Sequence, residues 1–188
     1  MLELAVLGLL LEAPMHGYEI RKRLTELLGP FRAFSYGSLY PALRRMRDTG
    51  LLSEEDEDTV VKKRRARRVY RITEAGQARF ADLVADTGPQ SFTDDGFGVH
   101  LAFFTSTPAQ ARLRILEGRR RQVEERREEL RRTLEAPSPG EKYTRQLHQL
   151  SLETSEREVR WLNELIAAES ASTSADSSTP KEGEINGV

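Results

Sequence analysis

Three observations predict a mainly helical chain in two parts. Apolar residues recur at helical spacing through residues 2–84, interrupted by one pair of strand-like runs. A stretch containing Gly, Asp and Pro at 87–98 separates this region from the C-terminal part. Beyond Thr107-Pro108, a good helix start, two long helical patterns are joined by Pro137-Ser138-Pro139-Gly140. Short helices around a small strand pair predict a winged helix-turn-helix over residues 1–86. Two long helices with a tight break predict an antiparallel hairpin over 108–168, with 87–107 as a linker and short helix.

Taken in order, Leu2–Glu12 is apolar on most faces and reads as a buried helix ended by Ala13-Pro14. His16-Gly17-Tyr18-Glu19-Ile20 opens a second helix reaching about Leu28, with Ile20, Leu24, Leu27 and Leu28 as its inner stripe. The stretch that organises the chain is residues 35–52, SYGSLYPALRRMRDTGLL. Leu39, Leu43 and Met46 share one face of a short helix, and Gly50 is suited to the left-handed turn that ends it. Pro41 is tolerated if that helix effectively begins near Gly37 or Ser38, where amides need no helical acceptor; the alternative is a kink. Residues 53–61 and 67–73 read as the two strands of a wing, acidic on one strand and basic on the other. Thr73 caps a further helix from Glu74 to about Val84.

Composition narrows the chemistry. The chain has 188 residues, 38% of them hydrophobic, and a formal net charge of −1. Cysteine is absent, which excludes disulfides, thiolate metal sites and cysteine nucleophiles. Histidine occurs only at positions 16, 100 and 148, without ligand spacing, and no phosphate-cradling Gly loop is present. No cofactor, metal site or catalytic residue is expected. No apolar run spans a bilayer, and the N-terminus lacks a basic flank and a cleavage site, so a cytoplasmic protein without membrane contact is expected.

Four segments in register, HGYEI at 16–20, GSLYPALRRM at 37–46, GLL at 50–52 and VYRITEAG at 69–76, resemble the marks of PadR-type transcriptional regulators. The resemblance covers residues 1–85, and the layout of the second part is similar to the subfamily with a longer helical C-terminal domain. It implies a dimeric regulator of double-stranded DNA, usually a repressor. Several family members release DNA when a small-molecule effector binds.

The residues themselves supply a matching set. Ser35, Tyr36, Ser38 and Tyr40 lie at or near the start of the organising helix, where side chains meet base edges and phosphates, and Arg44 lies one turn on. Tyr40 packed under the wing is the competing reading. Tyr18 starts the second helix, whose N-terminus suits a phosphate; core packing is the competing reading there. Lys62, Lys63, Arg64 and Arg65 form a cationic wing tip for phosphate or minor-groove contact, or else a solvated charge run.

In the second part, Leu113, Leu116, Val123, Leu130 and Leu134 share a seam with Arg120 and Arg127. Leu147, Leu150, Trp161 and Leu165 lie on one side of the last helix, together with Tyr143. So thin a seam hides little apolar surface alone, and the expectation is a homodimer that sets the half-site spacing of an inverted-repeat operator. Phe92, Phe97, Phe103, Phe104 and Trp161 are read as core and dimer packing in preference to a ligand pocket, and His100 as a structural residue. Residues 169–188 are aperiodic and expected to be disordered. The alternative function is a winged helix used for protein contacts, an adaptor without specific DNA binding.

Overall fold

The computed structural model describes residues 1–29, 36–56, 68–135 and 142–177. The chain divides into two compact units, Met1–Ala111 and Arg112–Val188.

In the first unit, α1 (Leu2–Glu12) is buried from Leu4 to Leu10, as an all-apolar helix must be. Strand β1 (Met15–His16) leads directly into α2 (Gly17–Leu28), whose Ile20 and Leu24 face the core. Leu27 does not: it is exposed, and the inner stripe of α2 is narrower than its apolar residues suggest. Helix α3 (Tyr36–Asp48) buries Leu39, Ala42, Leu43 and Met46. It ends in a double turn in which Gly50 N donates to Arg47 O at 2.9 Å and Leu51 N to Met46 O at 2.8 Å. Gly50 takes φ 76° there, a conformation that costs glycine nothing. The helix begins at Tyr36, so Pro41 sits inside it and cannot donate to the Gly37 carbonyl one turn back.

Strands β2 (Leu52–Asp56) and β3 (Arg68–Ile72) pair antiparallel, with Glu54 opposite Tyr70. The expected two-stranded wing is a three-stranded sheet in the order β1-β3-β2, because Met15 and His16 pair with Tyr70 and Val69. His16, expected inside the second helix, is instead extended and forms its N-cap. Two residues are too few to show the period of a strand. Thr73 caps α4 (Glu74–Ala85): its Oγ1 accepts from Gly76 N at 3.1 Å and donates to Gly50 O at 2.7 Å. One hydroxyl thus ties the start of α4 to the turn that ends α3.

The segment expected to be a linker and short helix does contain the short helix, and it belongs to the first unit. A 3₁₀ turn at Pro89–Ser91, helix α5 (Phe97–Ala102) and a second 3₁₀ turn at Phe104–Ser106 all belong to the first unit. Phe103 lies so close over α1 that a Cβ on Gly8 would come within 2.3 Å of its ring, and it meets Phe80 edge-on at 5.7 Å. Polar turn residues hid that membership, which depends on distant glycine and aromatic side chains.

The second unit pairs α6 (Ala109–Glu135) with α7 (Lys142–Ser177). Ile115, Leu116, Val123, Val159 and Leu162 are buried. Arg119, nearly buried, binds Glu158 at 2.6 Å; Arg112 binds Glu169 and Arg131 binds Glu156, each at 2.8 Å. Helix α7 continues through Ser177, so the expectation of disorder from Glu169 onward is corrected for residues 169–177. The Arg112–Glu169 pair anchors that extension. Residues 178–188 and the break at 137–140 lie outside the described residues.

Candidate nucleic-acid interface

Helix α3 presents one apolar and one polar face. Its inner stripe locks it to the core, and Gly37, Ser38, Pro41, Arg44 and Arg45 are exposed. Ser38, Pro41 and Arg45 recur at helical spacing with Arg44 alongside, so a hydroxyl and two guanidiniums share the outward side. Arg45 was not among the residues nominated from sequence, although its spacing from Ser38 carries the signal. Arg44 and Arg45 make no ion pair among the described residues, leaving both guanidiniums to the solvent.

Arg47, the next arginine along, is occupied. Its Nη1 donates to Glu54 at 2.6 Å and its Nη2 to Asp48 at 2.8 Å. Those hydrogen bonds, to Glu54 first and Asp48 second, hold the guanidinium even more firmly protonated than an ordinary arginine. The second oxygen of Glu54 takes Arg68 Nε at 2.7 Å, and Arg71 pairs with Glu55 at 3.3 Å. The stem of the wing is therefore largely neutralised by cross-strand pairs, as the acidic and basic runs predict.

Tyr40 is half-buried and lies over the start of α2: a Cβ added to Gly17 would meet its Cε1 at 3.0 Å. Its ring supports the α2–α3 junction. The hydroxyl of Tyr70 is pushed up in pKa by burial first and Glu54 second. Tyr40 thus has a packing role, close to the competing reading of a side chain beneath the wing. Tyr18 goes the other way. It is 66% exposed at the N-terminus of α2, which excludes core packing for it. Ser35, Lys62, Lys63, Arg64 and Arg65 lie outside the described residues, as does the side chain of Tyr36.

The nominated dimer residues separate into two groups. Leu116 and Val123 have no exposed surface left in the single chain, so they serve the inside of the molecule and not a docking face. Leu113, Leu130, Leu134 and Leu165 are half-buried. Leu147 and Leu150 are each 60% exposed, and Tyr143 and Trp161 are exposed as well, forming a stripe along α7. Of the nominated aromatics, Phe97 and Phe103 are buried within the first unit and Phe92 and Phe104 half-buried, consistent with core packing. Among the described residues no cluster of metal-ligating side chains occurs, and no helix is long and apolar enough to cross a membrane.

Chemically, the exposed side of α3 offers what a major-groove helix needs: forked guanidinium donors for base edges and a hydroxyl for a phosphate or a base. Tyr18 adds a phenol at the start of the preceding helix.

Comparison with known proteins finds a likeness over the first unit. Residues 6–82 match the profile of the "Transcriptional regulator PadR-like family". The chain is 28% identical over 81 residues to the Negative transcriptional regulator PadR of Bacillus subtilis (strain 168), a match covering 43% of this chain and 43% of that protein. The chain thus spans less than half the length of this curated relative. Among solved structures, Bacillus subtilis PadR in complex with operator DNA is similar at 23% identity and a TM-score of 0.44, over 89% of this chain and 98% of that one. The same protein in complex with p-coumaric acid gives 23% identity and a TM-score of 0.41, over 90% and 98%. The likeness to the family rests on the N-terminal match and not on these whole-chain superpositions. Through residues 6–82, under half of its length, the chain is similar to the PadR-like family of transcriptional regulators.

Proposed function

We propose that this chain is a sequence-specific DNA-binding transcriptional regulator, a dimeric repressor that acts in the cytoplasm. The observation that carries the reading is the outward side of α3, where Ser38, Arg44 and Arg45 stand exposed while Leu39, Leu43 and Met46 fix the helix from behind. Tyr18, Ser35 and Tyr36 supply backbone contacts around that helix, with Tyr40 holding it in place. Lys62, Lys63, Arg64 and Arg65 reach neighbouring phosphates from the wing. The exposed stripe of α7 joins two copies, so that two reading helices meet an inverted-repeat operator. That Bacillus subtilis PadR has been solved both with operator DNA and with p-coumaric acid supports double-stranded DNA and a small-molecule effector as partners. The role is regulatory and not catalytic.

The test is binding of the full-length chain to duplex DNA from its own upstream region and to a scrambled duplex of the same length. Arg44→Ala and Arg45→Ala, each with unchanged thermal stability, should weaken specific binding by about 1–3 kcal/mol and non-specific binding far less. If both variants bind the upstream duplex as the wild type does, α3 is not the reading helix.

A further inference from the structure

We propose that Glu54 is a positioning residue for DNA recognition, fixing the base of the wing against the reading helix by gripping Arg47 of α3 with one carboxylate oxygen and Arg68 of β3 with the other. The inference rests on the DNA-binding reading above and names a device that sets its geometry.

The placement arises from the sheet. Alternation puts Leu52 and Glu54 of β2 on the same face as Arg68, Tyr70 and Ile72 of β3. Leu52 and Tyr70 are buried, so this is the inner face, and Glu54 is a carboxylate directed at the core side of the sheet. Its side chain is only 13% exposed. A carboxylate so enclosed needs cationic partners, and it takes one from each of two elements: Arg47 at 2.6 Å and Arg68 at 2.7 Å. Glu55, one residue on, points to the outer face and pairs with Arg71 in the open, where an ion pair contributes little. The two acidic neighbours therefore do different work.

Arg68 is the first residue of β3, where the chain returns from the wing tip. Arg47 lies one helical turn beyond Arg44 on α3. The carboxylate between them links the strand that delivers the wing to the helix that carries the exposed arginines. With Asp48 also on Arg47, that guanidinium is occupied by two carboxylates, and Arg68, 55% exposed, is held by its Nε to the same Glu54. Cationic contact near α3 is left to Arg44 and Arg45, in the register the clamp imposes.

The experiment uses the full-length chain, a duplex selected from a random library and a scrambled duplex, titrated over a salt series. Glu54→Gln keeps the shape and removes the charge. Freed arginines should reach phosphates, so non-specific binding should tighten and its log–log salt slope steepen by about 0.9 for each new contact. The ratio of specific to non-specific affinity should fall roughly tenfold. Arg68→Gln leaves the Glu54–Arg47 pair and frees only the wing, so the ratio should fall without any tightening on the scrambled duplex. A purely structural Glu54 would lower the melting temperature and leave slope and ratio untouched, and that result in folded Glu54→Gln overturns the proposal. Should Glu54→Gln fail to fold, Arg68→Gln decides: its side chain is 55% exposed, and an unchanged ratio overturns the proposal while a fallen one supports it. Wild-type protein that binds neither duplex refutes the DNA-binding reading itself, and the positioning role with it.

Discussion

At His100 the fold encloses an imidazole in apolar surroundings: the residue is buried, and its Nδ1 has no hydrogen-bond partner among the described residues. Burial lowers its pKa from the ordinary 6.5, with the Asp86 carboxylate opposing part of the effect. The unfolded chain therefore binds a proton more readily than the folded one. The stability this group contributes is fully present above the unfolded pKa and is lost as pH falls below about 6.5 toward the lowered folded value. The melting temperature should accordingly drop between about pH 7 and pH 5, and His100→Leu should flatten that drop. Leucine fills similar space without a polar atom, so stability at pH 7 should be kept or raised. Equal acid sensitivity in wild type and His100→Leu would assign the drop to carboxylates elsewhere. The same scale explains Arg45: with Leu43 and Met46 turned to the core, both Arg44 and Arg45 stand exposed, and the spacing of Arg45 from Ser38 puts it on the outward side too.

Among the elements, α3 was the most legible, because Leu39, Leu43 and Met46 repeat at helical period and Gly50 marks its end. The Thr73 cap and the neutralised wing stem were legible for similar reasons: each is a local pattern with one physical meaning. Strand β1 was not, since two extended residues leave no period and gain their identity from Tyr70 and Val69, more than fifty residues away. Within residues 87–107 the short helix and the core packing of Phe97 and Phe103 were legible, whereas the turn residues advertise a linker where the segment belongs to the first unit. In the second unit the sequence places Arg120 and Arg127 on the seam, and both are half-buried there, each with a buried Nε that has no hydrogen-bond partner among the described residues. Arg119 is enclosed further, 8% exposed and held by Glu158, a position that only the helix phase distinguishes from Arg120. Glu158→Ala removes a carboxylate from that enclosed guanidinium and should destabilise the chain more than Glu55→Ala, which breaks the open pair with Arg71 and should cost under about 1 kcal/mol. Denaturant titration of both variants checks the contrast, and equal costs would show that Arg119 finds solvent.

For the whole molecule, the question is which apolar surface joins two copies. Leu116 and Val123 are spent inside the single chain, so Val123→Asp should bury a charge and unfold the hairpin, and would say nothing about assembly. Tyr143, Leu147, Leu150 and Trp161 remain exposed along α7, spaced at multiples near 3.5 residues, the period of a helix seeking a partner helix. In the proposed function a stripe of this kind on a charged helix joins a second copy, the occupant that gives an inverted repeat its symmetry. Leu147→Glu with Leu150→Glu should therefore leave the melting temperature of the chain nearly unchanged and yield monomers in sedimentation. Operator affinity should fall by a factor on the order of 10² or more, because the second half-site no longer profits from the effective concentration set by the first. Binding to a single half-site should persist at its weaker level, which separates loss of assembly from loss of the reading helix. A double variant that still sediments as a dimer and binds with wild-type affinity would move the interface off this stripe. If the stripe does hold the dimer, inserting about five base pairs between half-sites turns one of them to the opposite face of the duplex, and the wild type should bind that operator no better than the double variant binds the original.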